Sequence, residues 1–148
     1  MNIEVFYSKK SDDWKTPSDI YKVFMDKGFI DPCPYKSTFD GLKRNYENQR
    51  LFINPPFSDM ANWINWSWRQ LIQGHNDIVL LIPARTDTKY FHALLSSEPE
   101  IIFIQGRLHY NDSEKNAPFP SVIIILNNRN TYKSILRQDL VNYLEKYL

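Results

Sequence analysis

An α/β domain with a mostly parallel sheet and flanking helices is the fold class that the sequence predicts. Three continuous apolar runs, Ile78-Val79-Leu80-Leu81-Ile82, Ile101-Ile102-Phe103-Ile104 and Ser121 to Leu126, are rich in β-branched residues, as strands buried on both faces require. Stretches with apolar residues at helical spacing alternate with them. The runs ending at Ile82 and Ile104 also stop abruptly, at proline or glycine loops that carry polar side chains.

Taken in order, residues 1–13 read as irregular, and Thr16-Pro17-Ser18 reads as a helix start with Pro17 near the first helical position. Ile20, Val23 and Phe24, with Tyr21 beside them, form a short apolar stripe that Gly28 is placed to end. Phe29-Ile30 is a very short strand running into Asp31-Pro32-Cys33-Pro34, and Leu51-Phe52-Ile53 is another. Ser58 or Asp59 is positioned to cap a helix over residues 59–73 with Met60, Trp63, Ile64, Trp68, Leu71 and Ile72 on one face. Trp66 falls on the opposite side, either under a loop or toward a partner such as DNA. The run ending at Ile82 leads through Pro83-Ala84-Arg85 to a helix around Lys89–Leu95, and Ile101–Ile104 ends at Gly106-Arg107. From Asn130 onward, Tyr132, Ile135, Leu136, Leu140, Tyr143, Leu144 and Tyr147 have the spacing of a C-terminal helix.

With 148 residues and 43% hydrophobic content, the chain suits one domain, residues 1–148, with a substantial core. No repeat, low-complexity tract or long linker divides it. No stretch approaches a membrane span, and the first residues lack the basic start and apolar core of a signal peptide. Cys33 is alone, which excludes an intrachain disulfide and cysteine-held zinc and points to a reducing compartment, the cytoplasm. His75, His92 and His109 show no ligand spacing, so no metal is expected. A net charge of +1 argues against nonspecific polyanion binding, so contact with nucleic acid requires a local basic face. Lys9, Lys10, Lys15, Lys36, Lys43, Arg44 and Arg50 bias the first third that way, although most read as solvated surface charges.

The most specific feature is Asn54-Pro55-Pro56-Phe57, directly after Leu51-Phe52-Ile53. Two prolines cannot extend a ladder, so the strand must end in a rigid loop. Such a loop offers acceptors. The Asn54 side-chain oxygen and the Pro55 carbonyl can converge on one amino group, and Phe57 supplies a flat face, an arrangement suited to the exocyclic amine of a nucleobase. The same four residues also suit a plain turn, since Asn and Pro are common turn formers. In α/β sheets ligands gather at the carboxyl ends of strands, where Asp31, Asn54, Arg85 and Arg107 each fall.

The chain resembles the phage-type DNA N-6-adenine methyltransferase (Dam) family from about Asp13 to Leu126. The landmarks are Asp13-Trp14-Lys15-Thr16-Pro17, Phe29-Ile30-Asp31-Pro32, Asp40-Gly41-Leu42 and Phe52-Ile53-Asn54-Pro55-Pro56-Phe57. Leu81-Ile82-Pro83-Ala84-Arg85-Thr86-Asp87, Phe103-Ile104-Gln105-Gly106-Arg107-Leu108 and Pro118-Phe119-Pro120-Ser121 continue them in order. The resemblance implies a compact Rossmann-like methyltransferase domain, reduced in the roughly twenty residues between Asp31 and Asn54. It also implies S-adenosylmethionine as methyl donor and adenine N6 in DNA as acceptor, in a bacterial host cytoplasm if the gene is a phage's.

By that pattern Asn54, Pro55, Pro56 and Phe57 form the catalytic loop. Asn54 and the Pro55 carbonyl would hold the amino group, and Phe57 would stack on a flipped adenine. Trp14, Thr16 and Pro17 would border the methionine end of the cofactor, Asp31 and Pro32 the end of the first cofactor strand, and Asp40 the adenosine. Arg85, Lys89 and Arg107 would lie near the DNA backbone, with structural salt bridges as the competing reading. Asp31 is followed by Pro32-Cys33-Pro34-Tyr35 and no glycine before Gly41, where many methyltransferases carry a glycine-rich loop. That gap supports a second function, a catalytically silent DNA-binding relative, and because Asn-Pro-Pro-aromatic also suits other amino or amide nitrogens, a methyltransferase acting on RNA or protein stands as a third.

Overall fold

The computed structural model describes residues 14–73 and 77–148; Lys9, Lys10, Asp13 and His75, and the irregular reading of residues 1–13, lie outside the described residues. Five strands, β1 (Leu51–Ile53), β2 (Ile78–Pro83), β3 (Glu100–Gln105), β4 (Ser121–Ile125) and β5 (Thr131–Leu136), form one sheet in the order β1-β2-β4-β3-β5. Four helices flank it among the described residues: α1 (Ser18–Asp26), α2 (Met60–Ile72), α3 (Lys89–Leu95) and α4 (Arg137–Tyr147).

The sheet is mixed, which corrects the mostly parallel expectation. β1 pairs parallel with β2 and β3 with β5, but β4 is antiparallel to both β2 and β3. The link from β3 to β4 holds only a short 3₁₀ turn, Tyr110–Asp112, and no crossover helix, so the chain returns antiparallel beside β3. Four strands nevertheless share one direction, and β1, β2 and β3 end on the same edge. Phe29-Ile30 contributes a single parallel bridge, Ile30 to Leu51, rather than a strand; it too ends on that edge.

Side chains alternate between two apolar layers with the period of a strand. Phe52, Val79, Leu81, Ile102 and Ile123 pack with Ile20, Val23 and Phe24 of α1 and Leu140 and Leu144 of α4. Leu51, Ile53, Leu80, Ile82 and Ile124 face the other way, onto Met60, Trp63 and Ile64 of α2 and Phe91 and Leu94 of α3. Burial on both faces is why these strands read as unbroken apolar runs.

Two helical expectations are corrected. Residues 131–136 are an edge strand paired with β3, and the C-terminal helix starts only at Arg137. Asn128 and Asn130 take left-handed φ of 58° and 49°, turning the chain back from β4 into β5. On α2, Ile72 is 78% exposed and Trp68 only partly buried, whereas Trp66 is buried edge-on to Tyr46 and Trp63. Trp66 therefore lies under the loop before β1, the structural one of its two readings. Asp59 occupies the cap position of α2 but makes no side-chain cap bond; its carboxylate accepts from Asn62 Nδ2 at 2.6 Å instead. Gly28, with φ of +82°, follows α1 as the sequence suggested. Among the described residues no helix is long and apolar enough to cross a membrane, and no cluster of His, Cys, Asp or Glu is arranged to hold a metal.

Candidate active site

Beside the ends of the Ile30 bridge and β1 lies a cavity of about 790 Å³, bounded also by α1 and the segment before it. Its wall includes all four residues of Asn54–Phe57, together with Trp14, Thr16 and Asp31. The strand-to-loop break is the one the two prolines impose. Pro56 is extended (φ −63°, ψ 137°), and its carbonyl accepts from the Asp59 N–H at 3.0 Å, which turns Phe57–Asp59 into a 3₁₀ turn leading into α2.

Asn54 is held by its amide nitrogen. Nδ2 donates to the Trp14 carbonyl at 2.6 Å and to Thr16 Oγ1 at 3.1 Å. A carbonyl can only accept, so this contact fixes which end of the amide is NH₂. Oδ1 is consequently turned away from residues 14–16 as an acceptor. The sequence suggested an acceptor at this position but gave no hint of what orients it.

Phe57 belongs to an aromatic group. It lies nearly parallel to Trp14, with centroids 6.0 Å apart and planes at 20°, and edge-on to Phe119 at 5.1 Å; Tyr110 packs against Trp14 and Phe119. Carbon contacts need about 3.5–4.0 Å on each side, so no third ring fits between Trp14 and Phe57. Any stacked ligand must use an outer face of the pair. The indole N–H of Trp14 is buried without a partner among the described residues.

Asp31 ends the bridge segment. One carboxylate oxygen accepts from the Cys33 N–H at 2.8 Å, and the Tyr21 hydroxyl hydrogen-bonds the same carboxylate. Burial pushes the Asp31 carboxyl up from 3.8 to about 6, and the two hydrogen bonds offset this only in part. Tyr21 is raised to about 12, by burial first and then by the Asp31 charge. Tyr21, Met25, Cys33 and Tyr35 of the wall were not singled out from the sequence as site residues. The available signal was Tyr21, a tyrosine beside the apolar stripe of α1 with its polar end toward the loop.

A carboxyl whose folded pKa lies above its unfolded value makes the folded protein hold a proton longer than the unfolded chain does. Stability should therefore fall as pH rises from near 4 to about 6 and level off above, by about 1–3 kcal/mol. Asp31→Asn should flatten that slope in urea titrations run between pH 4 and 7. An unchanged slope in the variant would mean that another group causes it.

Of the sequence-derived site residues, Pro17, Pro32, Asp40, Arg85, Lys89 and Arg107 are not on the wall of this cavity, whereas Lys15 and Lys36 of the basic first third are. Pro17 precedes α1, its carbonyl accepting from the Tyr21 N–H at 3.0 Å. Pro32 is buried, and its carbonyl is pressed by Gly41, where an added Cβ would sit 1.8 Å from it. Asp40 caps the 3₁₀ turn Gly41–Lys43, its carboxylate accepting from the Leu42 N–H at 3.1 Å. Arg85 follows β2, partly exposed, and Lys89 is the exposed first residue of α3. Arg107 donates to the Ala117 carbonyl at 3.2 Å, bracing the loop between β3 and β4.

A protein-family model described as DNA N-6-adenine-methyltransferase (Dam) matches residues 6–145. No curated protein and no solved structure matches the chain.

Proposed function

The chain belongs to the DNA N-6-adenine-methyltransferase (Dam) family, and from that premise we propose that it methylates adenine N6 in DNA with S-adenosylmethionine, using the Asn54–Phe57 loop. The observation that carries this reading is the orientation of Asn54. Its NH₂ is engaged by the Trp14 carbonyl and Thr16 Oγ1, so its oxygen is the end left to meet a substrate amine beside an aromatic wall.

The residues present fit the cofactor chemically. S-adenosylmethionine, when bound, supplies a methyl group on a cationic sulfonium. The cavity combines aromatic surface from Trp14 and Tyr35 with the carboxylate of Asp31 and the ammonium groups of Lys15 and Lys36. A molecule that is part nucleoside, part cation and part amino acid meets a matching surface in each of these. Trp14, Thr16 and Asp31 would hold it. Pro17, Pro32 and Asp40 would act one step back, through the start of α1 and the Gly41 turn.

The protein's own contribution is to prepare the acceptor. Adenine N6 is a poor nucleophile because its lone pair is delocalised into the ring. The Asn54 oxygen and the Pro55 carbonyl, each accepting one N6–H, favour a pyramidal nitrogen and localise that lone pair. Pro55-Pro56 keeps the loop rigid, so the two acceptors are in place before the substrate arrives. The extra N6 proton is released to solvent after transfer, so no general base is required. Phe57, backed by Trp14 and Phe119, offers a plate for an extruded base. Arg85 and Arg107, which follow the ends of β2 and β3, and Lys89 at the start of α3 would lie near DNA phosphates. The compact Rossmann-like character of the domain belongs to the same reading, supported by β1, β2 and β3 ending together on the cavity's edge.

The test is methyl transfer from labelled S-adenosylmethionine to unmethylated DNA, with nucleoside analysis of the product. N6-methyladenine is the expected product. No labelled DNA over varied sequences, together with no cofactor binding by calorimetry, would leave a silent DNA-binding relative as the better account.

A further inference from the structure

The geometry points to Asn111 and Asp112 as positioning residues for Asn54, acting through residues 14–18; this inference rests on the catalytic reading of Asn54 given above. These two residues form the exposed end of the turn between β3 and β4, far in sequence from everything they hold. Asn111 Oδ1 accepts from the Lys15 N–H at 2.8 Å, and the Asn111 N–H donates back to the Lys15 carbonyl at 2.9 Å. Asp112 Oδ1 accepts from the Ser18 N–H at 2.9 Å, and its second oxygen accepts from the Ser18 hydroxyl. Four hydrogen bonds thus bracket Lys15–Ser18 from both ends.

The bracketed segment is the one that fixes the Asn54 amide. The Trp14 carbonyl precedes Lys15, and Thr16 Oγ1 sits between the two clamped residues. Without the clamp, residues 14–17 have no regular structure to locate them ahead of α1. The turn also carries a conformational cost that ordinary loop closure does not demand. Asn111 and Asp112 have consecutive left-handed φ of 61° and 52°, positions where non-glycine residues are uncommon. Glycine would suit that backbone better but has no side chain with which to hold Lys15 and Ser18. Asn and Asp are the residues that tolerate the conformation and still supply an acceptor. The Asp112 carboxyl lies below its usual range, chiefly because of the two bonds from Ser18. Beneath the turn, Tyr110 is buried, bonded to Ser121 Oγ at 2.9 Å and packed on Trp14, so the clamp is anchored in the sheet.

The chain of contacts therefore runs from β4 through Tyr110 to Asn111 and Asp112, then through Lys15 and Ser18 to Trp14 and Thr16, and ends at Asn54. Its function is to hold one amide at one angle. Misplacement of a positioned group by an ångström can cost about a hundredfold in rate.

The experiment uses Asn111→Gly and Asp112→Gly, which keep the backbone relaxed at positive φ and remove only the side-chain acceptors. Asn111→Asp and Asp112→Asn, which retain an acceptor oxygen, serve as rescue variants. For each glycine variant we expect kcat for methyl transfer to fall by about ten- to a hundredfold, while the KM for S-adenosylmethionine moves less than about threefold. The side-chain NH₂ resonances of Asn54, assigned by NMR in the wild-type chain, should shift toward those of a solvated amide. The rescue variants should keep most of the rate and the wild-type resonances. Unmoved Asn54 resonances, or loss of rate equally in the glycine and rescue variants, would overturn the inference. Should the wild-type protein itself methylate no DNA, the catalytic reading fails, and the Asn54 resonances alone then decide whether the clamp positions this amide.

Discussion

Asn54→Ala is expected to reduce methyl transfer at least several-hundredfold while leaving the fold and cofactor binding largely in place. The magnitude follows from the role. Removing one preorganised hydrogen-bonding group that acts on a reacting centre typically costs about 10²–10³ in kcat. The substitution also deletes the two bonds from Nδ2 to Trp14 and Thr16, worth about 1 kcal/mol each in stability. That is a small part of the roughly 5–15 kcal/mol by which a domain is stable, so the variant should still fold. Circular dichroism, calorimetry with S-adenosylmethionine and single-turnover methylation separate the possibilities. Folded protein that binds cofactor within a few-fold of wild type but transfers no methyl group supports the acceptor role. Unfolded protein would instead mean that Asn54-Pro55-Pro56 serves as a structural turn, and unaltered transfer would remove Asn54 from the chemistry.

The Asn54 loop was legible because its cause is local. Two adjacent prolines stop a strand in any context, and the apolar run before them marks the strand as buried. The partner of that loop was not legible. Trp14 and Thr16 lie some forty residues earlier, and only the tertiary fold brings their acceptors to Asn54. The strand-end rule placed Asp31, Asn54, Arg85 and Arg107 along one edge, and such an edge is longer than a pocket: the first two line the cavity and the two arginines do not.

The direction of β4 was hidden for a different reason. Val122 to Ile125 is buried on both faces, and such a run reads the same whichever way it points. Only the missing crossover helix between Gln105 and Ser121 decides it. In β5, Tyr132, Ile135 and Leu136 match helical spacing by coincidence and merge with the true stripe of Leu140 and Leu144. Pairing with β3 overrides that pattern, and the asparagines at 128 and 130 were the available sign of a turn.

Gly41→Ala is expected to be the most disruptive alanine substitution among the described glycines, Gly28, Gly41 and Gly106. The scarcity of glycine after Asp31 appears in sequence as a missing glycine-rich loop, yet the structure puts Gly41 against the Pro32 carbonyl. A Cβ on Gly41 would stand 1.8 Å from the Pro32 carbonyl oxygen and 3.0 Å from the Trp63 ring. The first contact is to backbone, which cannot rotate away as a side chain can. Relief requires moving Asp31-Pro32-Cys33, tilting the turn Asp40 caps, or both. Overpacking commonly costs about 1–3 kcal/mol, and a clash this deep against main chain should reach or exceed the top of that range. For a domain of this size, about 3 kcal/mol lowers the melting temperature by roughly 6–12 °C. The displaced residues include Asp31, whose Cys33 and Tyr21 bonds shape one wall of the cavity, so affinity for S-adenosylmethionine should fall with stability. Calorimetry well below the melting temperature separates the two effects. Weakened binding by a protein that is still fully folded places the damage in the Asp31 loop, whereas wild-type affinity and melting temperature would show that Gly41 does not press on Pro32 as described.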